Sequence, residues 1–313
     1  MNKDKKKILR RKLAWFFLRM FTVVCGGLSL EVSYKIGRAV ANIAYLFAVR
    51  HRRIAIDNLR VAFPHKSKPE LERIAREFFS FMAQSSLETL SFLKNPGYIE
   101  RIHIEGRKFL DEALRQNKGV IALSAHLGNF PLISLKLASL GYPIWVMARP
   151  MRDEQTGSYI HKLRTKAGVK TILSYPRRES VNQTIRVLRD NGIVVIQMDQ
   201  NFGTGGVWVK FFNRLAATPV GPIVFALRTK AVVLPVYIKR EGIGRHVIRI
   251  MPPLSVEEKS SKDETILINA VKFTKVIEGW IKASPYEWGW IHRRWKSTPS
   301  EKVMKMKFKV QND

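Results

Sequence analysis

The chain has little cysteine and few acidic residues for its size. Its 313 residues include one cysteine, Cys25, and 25 Asp and Glu against 55 Lys and Arg. A single cysteine excludes an internal disulfide framework and a cysteine-rich zinc site, and it is compatible with a reducing compartment. The shortage of acids leaves a formal net charge of +30 at pH 7, although 46% of the residues are hydrophobic. The composition therefore excludes a disordered basic tail and predicts a folded protein that meets a strongly anionic partner.

Nucleic acid, an acidic protein and an anionic membrane all fit this charge, and the positions of the charges favour the membrane. Residues 1–12 hold seven Lys and Arg, and an apolar stretch follows over residues 13–30, interrupted by Arg19. A second apolar stretch, residues 39–49, is closed by the basic residues 50–53. No small-residue cleavage site follows the first stretch. We therefore expect residues 1–53 to form helices that span or lie on an anionic membrane, with the basic clusters on the cytoplasmic side. The alternative is a buried helical hairpin with a basic, solvated end.

Beyond Pro64 the sequence alternates between predicted helices and strands. An amphipathic helix is predicted over residues 69–93, ended by Asn95-Pro96-Gly97. Short apolar runs between turn residues predict strands at 119–124, 143–148, 169–173, 192–197, 231–238 and 246–251. Helical patterns lie at 132–140, 156–167, 179–190, 219–229 and 264–283. This alternation predicts a single α/β domain over residues 54–313, with a mostly parallel sheet flanked by helices.

Two predicted strands end in residues suited to acid–base chemistry, and ligands of such sheets lie at the carboxyl ends of the strands. His126 follows the strand at 119–124 and could act as a general base, or it could be a structural loop histidine. Asp199 follows the strand at 192–197 and could orient a histidine ring, or it could cap the loop that contains Gly203. Gly128 would allow a close backbone approach, and the helix that begins behind it would offer free N–H groups to an oxyanion.

The order of motifs resembles that of the bacterial lipid A late acyltransferases, the lauroyl and myristoyl transferases of the lysophospholipid acyltransferase superfamily. The resemblance extends over almost the whole chain. Its motifs are Arg52-Arg53-Ile54, Asn58-Leu59, Phe63-Pro64, Ala125-His126-Leu127-Gly128-Asn129-Phe130, Ala148-Arg149-Pro150, Met198-Asp199-Gln200-Asn201-Phe202-Gly203, Val209-Lys210-Phe211-Phe212, Ala217-Thr218-Pro219, Leu234-Pro235-Val236 and Trp288-Gly289-Trp290-Ile291-His292-Arg293-Arg294-Trp295-Lys296.

The resemblance implies transfer of an acyl chain from a thioester of acyl carrier protein or coenzyme A to a hydroxyl of a membrane glycolipid. A lipid A precursor is the favoured acceptor, at the cytoplasmic face of the inner membrane, and an aminolipid or lysophospholipid is the alternative. The family signature places an acid five residues after its histidine. Here His126 is followed at that distance by Pro131. Either Asp199 supplies the carboxylate, or the protein is an inactive lipid-binding relative.

The resemblance also implies roles for residues around His126. Arg149 would stabilise the oxyanion or hold an acceptor phosphate, although it could equally be one of many surface arginines on a basic chain. Asn129 would donate a hydrogen bond to the substrate or cap the helix that follows. Gln200, next to Asp199, is a further candidate for substrate binding. No metal or other cofactor is expected, because a thioester is already activated and no cluster of metal-ligand residues has suitable spacing.

The basic, tryptophan-rich block at residues 288–296 has two interpretations. Its charges and rings suit a phosphorylated headgroup, with Arg293 and Arg294 as the binding residues. Alternatively, Trp288, Trp290 and Trp295 are packed in the core. An acidic acyl carrier protein would be attracted by the basic surface of such an enzyme. Nucleic-acid binding is not predicted, because the basic residues do not form a recognised reading module.

Overall fold

A computed structural model describes residues 27–300, except residues 152 and 204. The strands are β1 Ile102–Glu105, β2 Val120–Ser124, β3 Ile144–Ala148, β4 Lys170–Leu173, β5 Ile193–Gln197, β6 Val207–Phe211, β7 Arg214–Thr218, β8 Val232–Gly242 and β9 Arg245–Ile250. The α-helices are α1 Leu30–Phe47, α2 Val49–Ala62, α3 Lys68–Lys94, α4 Arg107–Arg115, α5 Pro131–Ser139, α6 Glu154–Lys166, α7 Arg177–Arg189, α8 Gly221–Thr229 and α9 Lys262–Ala283. Short 3₁₀ helices lie at Pro96–Arg101 and Pro285–Glu287.

Seven strands form one central sheet, in the order β1-β9-β8-β2-β5-β3-β4. The five strands from β8 to β4 run parallel, while β9 is antiparallel to β8 and pairs in parallel with β1. Side chains of β2 enter the core on both faces: Ile121 and Leu123 pack in one apolar cluster, and Val120 and Ala122 pack in the other. Such a strand is hydrophobic throughout because helices cover the sheet on both sides. The predicted mostly parallel α/β fold is confirmed.

The sequence pattern did not predict strand β1, helix α4 or the two strands β6 and β7. Strand β1 has four residues with alternating burial and lies at one end of the sheet. Strands β6 and β7 form an antiparallel hairpin apart from the main sheet, directly after the loop that contains Gly203, Gly205 and Gly206. Gly206 lies just before β6 and beside the end of β7, and a Cβ at this position would come within 2.2 Å of the Thr218 carbonyl oxygen. The loop glycine thus allows the first strand of the hairpin to approach the second.

Helix α3 is the longest described helix, and its start and its apolar face follow from the sequence. The Ser67 N–H and hydroxyl both donate to Glu70 Oε2 at 2.8 Å, which satisfies groups left free at a helix N-terminus. Its buried face then carries apolar residues as predicted for residues 69–93, and among them lie the buried polar residues Glu88 and Ser91. Helix α3 therefore brings charge as well as apolar surface to the core.

The amino-terminal helices pack on this domain. Residues 1–26 lie outside the described residues, and with them most of the first predicted membrane stretch. Among the residues described from 27 to 300, none of the helices is long and apolar enough to cross a membrane. Helix α1 lies along α3, where the Tyr45 and Phe79 rings meet edge to face. The boundary predicted after Arg53 falls inside α2, and the division into two units stays a prediction.

Candidate active site

The ends of β2 and β5 bring His126 and Asp199 together. The two strands are parallel neighbours, and their registered last residues are Ser124 and Gln197. The pairing continues past the strands, since the Met198 N–H donates to the Ser124 carbonyl at 3.2 Å. His126 and Asp199 each lie two residues beyond the end of their strand, so both occupy the carboxyl edge near the middle of the sheet. The sequence places both residues just after strand ends, and the pairing of β2 with β5 makes those ends neighbours.

Three hydrogen bonds converge on the Asp199 carboxylate, which is 1% exposed. His126 Nδ1 lies 2.9 Å from Oδ1. The backbone N–H of His126 donates to Oδ2 at 3.0 Å, and the Trp288 indole N–H donates to the same oxygen at 2.7 Å. The first contact leaves Nε2 of His126 as the ring nitrogen available to another molecule, and the His126 side chain is 29% exposed.

Asp199 and His126 each favour the charged form of the other. Burial by itself raises the pKa of the Asp199 carboxyl, but the charge of His126 and the three hydrogen bonds outweigh burial and lower the pKa to about 2. Burial likewise lowers the pKa of the His126 ring, but the Asp199 carboxylate and its hydrogen bond raise it above the ordinary value. Asp199 is therefore ionised at neutral pH and favours the His126 tautomer that carries its proton on Nδ1.

The loop that carries His126 is fixed by backbone contacts with the carboxyl-terminal segment. The Gly128 N–H donates to the Glu287 carbonyl at 3.0 Å, and the Gly289 N–H donates to the His126 carbonyl at 3.2 Å. Gly128 has φ +65°, and a Cβ there would lie 2.2 Å from the Ile238 carbonyl oxygen. The close backbone approach predicted at Gly128 is confirmed, since a side chain would fit neither this dihedral nor this space.

Pro131 stands where the family signature has an acid, and in this structure it opens helix α5. Proline is suited to the first turn of a helix, because the N–H that it lacks would have no partner there. Asn129, just before the helix, is buried and points to α3: its Nδ2 donates to Glu88 Oε2 at 2.8 Å and to the Ser85 carbonyl at 3.2 Å, and its Oδ1 accepts from the Thr89 hydroxyl at 2.8 Å. The side chain of Asn129 is thus bonded within the protein, and its predicted substrate contact stays a prediction.

The other predicted binding residues occupy different surroundings. Arg149 is exposed at the end of β3, a parallel neighbour of β5, so it lies on the same edge of the sheet as Asp199. Gln200 is half-buried beside Asp199, and Arg293 is exposed. Arg294 is fully buried: its guanidinium donates to the Ala217 carbonyl and the Thr218 hydroxyl, each at 2.5 Å. The structure therefore places Arg149 on the same sheet edge as Asp199 and Gln200 next to Asp199, whereas Arg294 is bonded to β7 inside the protein.

The three tryptophans of the carboxyl-terminal block lie in the core. Trp288, Trp290 and Trp295 are all buried, and the rings of Trp288 and Trp290 meet edge to face with centroids 4.6 Å apart. Of the two interpretations of this block, core packing accounts for these rings. Asn58 ties the block to α2, since its Nδ2 donates to the carbonyls of Trp290 and His292 at 2.7 Å each. The motif residues Asn58 and Trp290 are thus distant in sequence and joined in the fold.

Two contributors to the site are not predicted by the sequence pattern. The pattern assigns Trp288 to packing or headgroup binding, whereas its indole N–H donates to the Asp199 carboxylate. His292 accepts at Nε2 from the Asn201 N–H at 2.9 Å, two residues beyond Asp199. Burial lowers the pKa of His292, which keeps the ring neutral in this acceptor role. Both residues lie within residues 288–296. Nothing in the sequence indicates that Trp288 contacts Asp199, 89 positions earlier, or that His292 contacts Asn201, 91 positions earlier.

The sequence of this chain is similar to those of proteins named as acyltransferases. Residues 1–297 match a family described as bacterial lipid A biosynthesis acyltransferase. The lipid A biosynthesis lauroyltransferase of Escherichia coli (strain K12) is 23% identical over 291 residues, 92% of this chain and 92% of that protein. The lipid A biosynthesis palmitoleoyltransferase of the same strain is 24% identical over 269 residues, 84% of this chain and 85% of that protein.

A third relative has a different name. The phosphatidylinositol mannoside acyltransferase of Mycobacterium tuberculosis (strain ATCC 25618 / H37Rv) is 26% identical over 218 residues, 69% of this chain and 66% of that protein. Similarity to this chain therefore extends to acyltransferases named for two different lipids. All three relatives are named as acyltransferases, which agrees with the reaction implied by the sequence motifs.

Proposed function

The chain belongs to the bacterial lipid A biosynthesis acyltransferase family, and we propose that it moves a fatty acyl chain from a thioester donor to a hydroxyl of a lipid A precursor, with His126 as the general base. Family membership makes the protein an acyltransferase of lipid A or of a related glycolipid. The choice of a lipid A precursor rests on the two lipid A transferases, which match most of the chain.

The hydrogen bonds of His126 support its role as base. With its Nδ1 proton directed at Asp199, His126 has a lone pair on Nε2 that takes the proton of the acceptor hydroxyl. The alkoxide oxygen then attacks the thioester carbonyl carbon, and the C=O electron pair moves to the oxygen to form an oxyanion. When the carbonyl re-forms, the C–S bond breaks, and the leaving thiolate takes the proton back from His126. Asp199 stabilises the imidazolium that exists between these steps.

Arg149 is the proposed partner of the anionic groups in this reaction. It is exposed on the same edge of the sheet as Asp199, and an arginine can stabilise an oxyanion or bind a phosphate with two parallel hydrogen bonds. Gln200 and Arg293 are proposed to contact the acceptor headgroup. The step as written needs no metal, because the thioester carbonyl is activated by its leaving group.

The observation that carries this proposal is the His126–Asp199 contact of 2.9 Å, because it supplies the acid that the motif lacks at Pro131. It favours an active enzyme over an inactive lipid-binding relative. Mass spectrometry of lipids from cells that lack the protein tests the acceptor: we expect lipid A one acyl chain short. Intact lipid A together with an altered aminolipid or phospholipid would assign another acceptor to the same chemistry. Acyl carrier protein and coenzyme A thioesters, supplied separately to the purified enzyme, identify the donor carrier.

We also propose that the protein is held at the cytoplasmic face of the inner membrane. On α1, four apolar residues are exposed: Val40, Ile43, Leu46 and Phe47. Phe47 is 81% exposed. The exposed Arg50 follows at the start of α2. Apolar side chains beside cations suit the interface of an anionic leaflet, where each Lys or Arg contributes about 1 kcal/mol. The same positive charge would attract an acidic acyl carrier protein.

Sedimentation with phospholipid vesicles tests this attachment. We expect the protein to bind vesicles that contain anionic lipid and to bind neutral vesicles less strongly, because the apolar face needs a bilayer and the cations need anionic lipid. Salt-sensitive binding to DNA is not expected, because the basic residues form no recognised reading module. DNA binding without vesicle binding would assign the +30 charge to nucleic acid and contradict the proposal.

A further inference from the structure

A second buried carboxylate lies behind the loop that carries His126. Glu88 on α3 is 0% exposed, and groups from four different parts of the chain surround it. Tyr34 of α1 donates to Oε1 at 2.5 Å, and His246 Nε2 of β9 lies 2.9 Å from the same oxygen. Asn129 donates to Oε2 at 2.8 Å, and Arg240 of β8 donates to Oε2 at 3.3 Å. An ionised carboxylate accepts hydrogen bonds at both oxygens, so this site suits the charged form of Glu88.

The charges around Glu88 keep it ionised. Burial by itself raises the pKa of Glu88, but the contacts of His246, Arg240 and Tyr34 outweigh burial and lower the pKa to about 2. Glu287, also buried, faces the same region; burial raises its pKa to about 7, so at neutral pH it is only partly ionised. Removing a single partner from such a cluster would leave charge in a low-dielectric interior, where it is costly.

The two oxygens of Glu88 serve different parts of the protein. Oε1 receives Tyr34 and His246, which belong to the outer helix α1 and to β9. Oε2 receives Asn129, three residues after His126 in the same loop. His126 is held on one side by Asp199. On the other side, Asn129 is held by Glu88 and by Ser85 and Thr89 on the same helix.

We propose that Glu88 is a positioning residue for His126, which acts by holding Asn129 and thereby the loop between β2 and α5. The loop lies between two anionic anchors, Asp199 and Glu88, neither of which has to touch substrate to serve this function. The inference rests on the proposed role of His126 as base. A displacement of about 1 Å at such a base can lower the rate about 100-fold, so a rigid anchor on each side of the ring matters for turnover.

Asn129→Asp is the informative substitution, because it keeps the size of the side chain and places a second carboxylate against Glu88. Repulsion in the buried site should displace the loop and lower kcat about 10- to 100-fold, with a smaller change in KM. Burial and Glu88 would raise the pKa of the introduced acid, and its protonated form could again donate to Oε2. The ratio of variant to wild-type kcat/KM should therefore rise as the pH falls from about 8 to about 6. Asn129→Ala should lose activity without this recovery.

A readout independent of turnover separates this inference from the proposed function. The titration of the His126 ring, followed by NMR of histidine-labelled protein in detergent, should give a lower pKa in Asn129→Ala than in the wild type, because the loosened loop weakens the Asp199 contact that raises this pKa. The groups that act on His126 here are Asp199 and the neighbouring His292, and neither is altered by the substitution. Amide exchange at Leu127 and Gly128 should also become faster.

Two variants serve as matched controls. Asn269→Ala removes an equally buried asparagine, bonded to Glu257 and Thr265, and should lower stability without moving the His126 titration. Tyr34→Phe removes a donor from the other oxygen of Glu88 and should behave in the same way. Glu88 itself is not replaced by alanine, because that change would leave Arg240 without its anion in the interior.

The outcomes separate the two proposals. If folded Asn129→Ala has the same His126 pKa and the same amide exchange at Leu127 and Gly128 as the wild type, the positioning role of Glu88 is overturned, whatever the activity of the protein. If the His126 pKa is lowered in Asn129→Ala but the wild-type protein shows no acyl transfer, the positioning role is supported and the proposed function is overturned. An Asn129→Asp variant whose relative activity stays flat with pH would contradict the interaction with Glu88.

Discussion

His126→Ala is expected to lower kcat for acyl transfer by about 10²- to 10⁴-fold, with a small change in KM. A general base contributes this much to a proton transfer, and the ring has no other charged role in the proposed chemistry. The site behind the ring should survive the change, because Asp199 keeps the His126 backbone N–H and the Trp288 indole N–H as partners. Initial rates with an acyl thioester and a lipid A precursor, together with the circular dichroism of the variant, measure the effect.

The pH dependence of the wild type tests the same assignment. The Asp199 carboxylate raises the pKa of His126, and the base must be neutral to accept a proton, so kcat/KM should rise with pH through a value above the ordinary pKa of about 6.5. His103→Ala, on the exposed face of β1, is the matched control and should keep full activity. A His126→Ala enzyme with wild-type turnover would rule out the proposed mechanism.

Asp199→Asn is expected to lower kcat by up to about 10⁴-fold while the protein stays folded. Oδ2 accepts two N–H groups whose hydrogens cannot be moved, from the His126 backbone and the Trp288 indole, so the amide oxygen of the variant must take that position. The amide nitrogen then faces His126 Nδ1 and donates to it. The ring is forced to carry its proton on Nε2 and has no lone pair for the acceptor hydroxyl.

The change in tautomer is measurable beside the change in rate. The NMR shifts of the His126 ring nitrogens should report protonated Nδ1 in the wild type and protonated Nε2 in Asp199→Asn. The pKa of His126 should also fall, because the variant loses the charge that raises it. Asp190→Asn removes one exposed acid at the end of α7 and should alter neither tautomer nor turnover. Full activity in Asp199→Asn would mean that another acid orients His126.

Much of the fold follows from local patterns. The strand that ends before His126 and the strand that ends before Asp199 are short apolar runs between turn residues, and they appear where the pattern places them, as β2 and β5. Parallel strands in such a sheet present their carboxyl ends on one edge, so the pattern alone places two candidate residues at strand ends on the same edge. The hairpin of β6 and β7 is not predicted in this way, because its two short strands lie outside the main sheet and do not take part in the alternation of strands and helices.

The acid that is missing at position 131 shows what the sequence alone leaves undecided. The motif alone leaves two possibilities at Pro131, an acid supplied from elsewhere or a lost activity. In the structure, Pro131 starts α5, and Asp199 lies 2.9 Å from the ring of His126. Spacing along the chain cannot distinguish these cases, because 73 residues separate the two side chains and only the register of β2 with β5 fixes their distance.

By itself, the sequence determined the charge, the α/β architecture, the family resemblance and the two strand-end candidates, because each of these depends on composition, periodicity or a short motif. The tertiary structure alone decided that Trp288 donates to Asp199, that Arg294 is buried against β7 and that Glu88 receives Asn129 from the loop of His126. These contacts join segments that are between 41 and 89 residues apart. They exist because the packing of helices on the sheet sets those distances, and no local preference of the chain encodes them.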